Sequence, residues 1–193
     1  MNITAQMVKE LRDKTGAGMM DAKKALVEVD GDMEKATEFL RQKGMASAEK
    51  KMGRIAAEGR VDSFVEANGG AMVEVNCETD FVAKNDEFKA LAANMAKHVE
   101  ELKPADVDAL LATTCPSCNK LIGEALKEKI ASIGEKITVR RFVRYEGPVA
   151  TYIHNGKIGV LLSTDKEDQD LMNDICLHIA SSAPKFVSRE EIP

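Results

Sequence analysis

The sequence lacks any apolar run near the ~18 residues that a membrane-crossing helix needs, and its N-terminus has no signal-peptide hydrophobic region. No membrane association is expected, and the cytoplasm is the expected compartment. Excess positive charge is missing as well. With 27 Lys and Arg against 32 Asp and Glu the formal net charge is −5, which argues against direct nucleic-acid binding, because phosphate contacts need clustered excess cations. The basic cluster at Lys50, Lys51 and Arg54 is flanked by Glu49 and Glu58 and reads as a solvated helix face.

Catalytic patterns are also missing. There is no G-x-x-x-x-G-K-[ST] phosphate loop, so the chain is not itself a P-loop GTPase. Gly16-Ala17-Gly18 is too short for a dinucleotide fingerprint, and no Ser/His/Asp or paired-carboxylate set occurs at usable spacing. His98, His154 and His178 have no metal-ligand spacing. No cofactor and no enzymatic activity are expected. Of the four cysteines, Cys77 ends a strand and Cys176 lies in a helical apolar stripe, so both read as small buried hydrophobes. Cys115-Pro116-Ser117-Cys118 is the strongest enzyme-like signal, since a C-x-x-C before a helix can be a redox pair or half of a metal site. A structural zinc site needs four ligands, and thioredoxin-type chemistry needs a strand directly before the pair, where this chain has a Pro-flanked linker. The first reading is an incidental, solvent-exposed pair. A small redox or metal-binding protein using Cys115 and Cys118 stays open as the alternative.

What is present is a globular composition, 44% hydrophobic and 31% charged over 193 residues, enough for one large domain or two small ones. Residues 1–44 read as three short helices. Thr4 caps the first, with Met7, Val8 and Leu11 inward. Asp21 caps the second, with Ala22, Ala25, Leu26 and Val29 inward before an Asp30-Gly31 turn. Asp32 opens the third, with Ala36, Phe39 and Leu40 inward and Gly44 closing it. Residues 45–58 are rich in Ala, Lys and Glu and read as a helical connector.

A weak internal repeat follows. Residues 61–73 echo residues 149–160, each a strand, an Asn/Gly turn and a second strand. Each copy leads to an amphipathic helix, over 86–100 and 167–181; Leu171, Ile175, Cys176 and Ile179 are inward in the later one. Leu102 to Asn119 reads as a linker, Lys120 to Ile133 as a helix ending at Gly134, and Ile137 to Tyr145 as a strand. The expected architecture is α+β: the three-helix module, then a core of two repeated halves, 59–134 and 135–193, each an antiparallel sheet with a helix.

The most informative run is Cys77-Glu78-Thr79-Asp80-Phe81-Val82-Ala83-Lys84-Asn85. Before it, Ala71 to Asn76 alternates apolar and polar as a half-buried strand does; after it, Phe88, Leu91, Ala92, Met95, Ala96 and Val99 form a helical stripe capped by Asn85 or Asp86. Asp80 and Phe81 thus fall in a strand-to-helix connection. A phenyl ring beside a carboxylate there has the profile of an interface anchor, although spacing alone also allows the ring to fold back onto its own helix. The later copy of the repeat reaches its helix through Ser163-Thr164-Asp165-Lys166, with no aromatic, so a shared scaffold needs neither Asp80 nor Phe81.

This run resembles the signature of the bacterial elongation factor Ts family, exchange factors for the GTPase elongation factor Tu. A second run, Leu11 to Leu26, resembles the family's N-terminal signature, and the similarity continues to about residue 190. The resemblance implies a three-helix module like a ubiquitin-associated domain, and a single main partner, elongation factor Tu in its GDP-bound and nucleotide-free forms. It implies that Thr79, Asp80, Phe81 and Val82 match the segment that disturbs the partner's magnesium and phosphate site, with Phe81 as wedge. Arg12, Met19 and Met20 match docking positions, although a Met pair beside a Gly turn reads on chemistry alone more readily as core. His154, at a hairpin tip, is a weaker candidate contact. A helix-binding adaptor built on the three-helix module is a further alternative. Longer family members continue with a helical hairpin and a closing strand and helix, so an unpaired edge in the second half, and self-association through it, are expected here.

Overall fold

The Thr4 hydroxyl accepts a hydrogen bond from the Met7 N–H at 3.2 Å and starts helix α1 (Ala5–Thr15), which Gly16 stops in the left-handed region at φ 69°. The computed structural model describes residues 3–193. Helix α2 (Met19–Glu28) follows, and then α3 (Met33–Lys51), where the Asp32 carboxylate caps the N–H groups of Glu34 and Lys35, both at 3.0 Å. Val8, Leu11, Ala22, Ala25, Leu26 and Ala36 form the buried core of these helices. Three of the six are alanines, so the helices approach closely and the inward stripe of α3 is narrow. Phe39, expected inward, lies largely outside it.

Two further expectations are corrected here. Asp21 does not cap α2: the helix starts two residues earlier, after the extended Gly18, and Asp21 in its first turn pairs with Lys43 at 2.9 Å. Gly44 does not close α3, which runs on to Lys51. The stretch read as a linker carries the short helix α6 (Val107–Ala112). After it α7 (Ile122–Ile133) packs against α3, and a Cβ at Gly44 would lie 2.9 Å from the Ala131 Cβ. The glycine is there for close approach.

The chain divides into two units. The first takes the residues through Ile55 together with Leu111–Ile137, and the second takes Ala56–Leu110 with Thr138–Pro193. The segment with α7, which the sequence reading placed in the first half of the core, thus groups with the N-terminal helices. Ile122, Leu126 and Ile130, spaced four apart, are its buried face.

In the second unit, β1 (Glu58–Glu66) and β2 (Gly69–Cys77) form a hairpin, and β3 (Thr138–Glu146) pairs antiparallel with the other edge of β2. The strand expected in the second half therefore completes the first sheet. Helix α5 (Asp86–Leu102) covers the face carrying Ala71, Val73 and Phe64, with Phe88, Leu91, Ala92, Met95, Ala96 and Val99 buried as their spacing predicts. Arg144 on β3 reaches the buried Glu100 of α5 at 3.0 Å and ties sheet to helix. The opposite face meets a second hairpin, β4 (Val149–His154) and β5 (Ile158–Ser163). Contact is close: a Cβ at Gly159 would lie 2.5 Å from the Met72 sulfur. Helix α8 (Gln169–Ser182) covers the far side of that hairpin through Met172 and Cys176. Leu171, expected inward, is exposed, because the Asp168 cap sets the helix phase so that Met172 takes the inward position. The α+β class is as the sequence indicates.

Candidate partner-binding site

At the end of β2 the Cys77 thiol donates to the Thr79 carbonyl at 3.2 Å. Thr79 is extended, and its hydroxyl accepts from the Val82 N–H at 3.4 Å. The chain therefore starts a helix at once: α4 (Asp80–Lys84), one turn within what the sequence indicates as a strand-to-helix connection. Asp80 in the first turn meets Lys84 one turn later at 2.7 Å. That hydrogen bond and the lysine charge hold the Asp80 carboxyl below its ordinary pKa, and the reciprocal contact raises that of Lys84. Asn85 then returns to extended backbone (ψ 139°), and its side chain accepts from the Glu87 N–H at 2.7 Å to open α5.

Within this turn Ala83 is buried and Val82 half-buried, while Phe81 points out and is 82% exposed. The ring does not fold back onto α5. Thr79, Asp80, Phe81 and Val82 are thus brought together on one capped turn.

His154 ends β4 at the tip of the second hairpin. Its Nδ1 lies 3.0 Å from the Tyr152 hydroxyl and its Nε2 lies 3.2 Å from the Asn155 amide nitrogen. That tip lies at the same end of the second unit as α4. Lys157 in the tip pairs with Glu58 at 2.6 Å, Glu58 is opposite Cys77 in the strand register, and the Glu58 charge also acts on Lys84 of α4.

In the first unit Arg12 lies in the last turn of α1, half-exposed and 3.1 Å from Asp13. Met19 and Met20 occupy the first turn of α2 and are 47% and 67% exposed, so the core reading of the pair does not hold. The sequence reading missed Val27, which is 56% exposed on α2. Seven residues separate it from Met20, two helical turns on one face, and that spacing was the available signal. Ile55 is exposed as well and had no signal beyond its own apolarity. Among the described residues, no group of three or more His, Cys, Asp and Glu is placed to hold a metal ion, and no helix is long and apolar enough to cross a membrane.

The features of the site are exposed apolar side chains on helical turns, Phe81 on α4 and Met19 and Met20 at the start of α2. Comparison with known proteins adds the family. The family described as Elongation factor TS matches residues 78–193. A protein named elongation factor Ts from Alkalilimnicola ehrlichii is 48% identical over 198 aligned positions, covering 100% of this chain and 67% of the relative. Others so named, from Halorhodospira halophila and Syntrophotalea carbinolica, are 47% and 49% identical with the same coverage. The chain belongs to the elongation factor Ts family, whose members are elongation factors of protein biosynthesis with a nucleotide exchange role.

Proposed function

We propose that this chain is a cytoplasmic guanine nucleotide exchange factor for elongation factor Tu, acting by binding alone, with α4 as the element that dislodges the partner's magnesium ion. The observation that carries this reading is the 82% exposure of Phe81 on a turn capped at its start by the Thr79 hydroxyl and closed at its end by the Asn85 backbone N–H on the Val82 carbonyl. A buried position would have spoken for a core role.

An exchange factor needs no catalytic group. It binds the nucleotide-free GTPase better than the loaded one, and by reciprocity it weakens nucleotide binding by the same factor. Each ~1.4 kcal/mol of differential contact is tenfold in affinity, so a few side chains suffice. Phe81, rigid about two torsions, enters between elements of the partner. Asp80, held by Lys84, keeps the turn wound beneath it; Thr79 caps that turn, and Val82 packs beside it. Magnesium is the strongest counter-charge to the diphosphate, and its displacement releases GDP. Arg12, Met19 and Met20 dock the N-terminal helices on the same partner, and methionines suit such adaptable contacts. His154 adds a polar contact from the hairpin tip.

The test is release of labelled GDP from elongation factor Tu on addition of the chain. Acceleration is expected, with a loss of tenfold or more in Phe81→Ala, since an interface anchor contributes ~2 kcal/mol or above. No acceleration by the parent chain overturns the exchange reading, and full acceleration by the variant overturns the wedge.

A further inference from the structure

The segment read as a linker is an ordered turn at Cys115-Pro116-Ser117-Cys118. It is closed at its base by the bridge between Thr114 and Leu121. Inside it the Cys115 N–H donates to the Lys120 carbonyl at 2.7 Å, and the Asn119 N–H donates back to the Cys115 carbonyl at 3.0 Å. Asn119 takes the left-handed conformation, φ 52°, that lets the chain reverse. Lys120 meets both carboxylate oxygens of Glu128 on α7, at 2.7 and 2.9 Å, which fastens the turn to the helix it precedes.

This turn gathers donors around one sulfur. The Cys115 Sγ lies 3.1 Å from the Ser117 hydroxyl oxygen and also receives hydrogen bonds from the backbone N–H groups of Ser117 and Cys118 and from the Cys118 thiol. Cys115 is buried and Cys118 is exposed. We propose that Cys115 and Cys118 are a redox-active dithiol, a modification site for low-molecular-weight disulfides that closes reversibly to an intramolecular disulfide.

The donors stabilise a thiolate on Cys115 and lower its pKa to about 7, with the Ser117 hydroxyl the largest influence, while the neighbouring Cys115 sulfur raises that of Cys118. Near neutral pH a large fraction of the pair therefore carries a single proton, with the thiolate on Cys115 and the thiol on Cys118. The exposed Cys118 sulfur attacks one sulfur of the disulfide R–S–S–R, a Cys118–S–S–R bond forms, the R–S–S–R bond breaks, and RS⁻ leaves. As Cys118 attacks, its proton passes along the hydrogen bond to the Cys115 thiolate, which becomes the thiol. Cys115 then releases that proton to solvent and attacks the Cys118 sulfur, expelling the second RS⁻. The protein loses two electrons to the reagent, which leaves as two thiols after protonation. A metal reading has less support: Cys115 and Cys118 are two ligands, and the structure brings no third His, Cys, Asp or Glu to them among the described residues.

The experiment equilibrates the purified chain in glutathione buffers of rising oxidised fraction at pH 7, quenches with acid, denatures, and counts thiols by alkylation and mass. The expected result is loss of two of the four thiols in one two-electron step, mapping to residues 115–118, with Cys77 and Cys176 retained. Cys115→Ser should stop at a single glutathione adduct on Cys118, and Cys118→Ser should form neither adduct nor disulfide on the buried Cys115. Four thiols surviving in fully oxidised buffer, cross-linked dimers, or stoichiometric zinc in the chain as purified would each overturn the proposal.

Discussion

Phe81 and Phe88 are the same side chain seven residues apart, and they have opposite environments. Phe88 is fully buried under the first sheet, whereas Phe81 is 82% exposed. Phe88→Ala is therefore expected to cost ~3–5 kcal/mol of stability, as a truncated core aromatic does. Phe81→Ala should stay within ~0.5 kcal/mol of the parent, as surface changes do. Chemical denaturation of the two variants checks this, and equal losses would mean that the ring of Phe81 packs on the fold in solution. The Asp80–Lys84 contact beneath that ring also has a pH dependence of fixed sign. Because the Asp80 pKa is lowered in the folded chain, its contribution is present in full above the ordinary aspartate value. It is lost as pH falls through the folded value. The α4 turn should keep its amide protection from neutral pH down to the ordinary aspartate range, about 4, and lose it only as the pH falls further, through the lowered Asp80 value. Protection that persists unchanged at pH 2 would show that the caps alone hold the turn.

Legibility differed from element to element. The stripe of helix α5 was readable and its cap was narrowed to Asn85 or Asp86, because both signals are local; the structure has Asn85. The two hairpins were readable from Asn/Gly turns between alternating strands. What could not be read was which distant element fills a neighbour's surface. Gly44 has the residue type of a helix stop, and only the crossing of α7 explains why the helix continues through it. The pairing of β3 with β2 is likewise non-local, since about 60 residues separate the two strands. The exposure of Phe81 was suggested by a residue type out of place in a connection, but the helical winding of α4 was not legible. At five residues it is shorter than the window over which periodicity can be counted. Gly44 itself gives a prediction. In an isolated helix Gly→Ala stabilises by ~1 kcal/mol. Here the added methyl meets Ala131 at 2.9 Å, so Gly44→Ala should lower the thermal midpoint. A raised midpoint would mean that α7 is not packed there.

At the scale of the whole molecule, the chain passes from the first unit to the second, returns to the first over Leu111–Ile137, and then enters the second again. Removing residues 1–44 therefore takes away more than a terminal module. It strips the partner surface of α7, whose Ile122, Leu126 and Ile130 are buried. The truncated chain should keep the amide protection of β1, β2 and α5, while limited proteolysis cuts within residues 111–137. Resistance of that segment after truncation would show that α7 has a second support.

The capping of α4 at both ends has a thermodynamic consequence. The Thr79 hydroxyl fixes its start, the Asn85 backbone N–H on the Val82 carbonyl closes its finish, and Asp80 with Lys84 spans the middle, so the turn is already in its final form before any partner arrives. Association then carries no ordering penalty for the segment, a cost that for a coil folding on contact reaches ~2–5 kcal/mol. Calorimetry of complex formation over a range of temperatures should return a heat-capacity change accounted for by the apolar area covered at the interface alone. Thr79→Gly, which removes the first cap and loosens the backbone, should make that change more negative and the binding entropy less favourable, with the same contacts finally made.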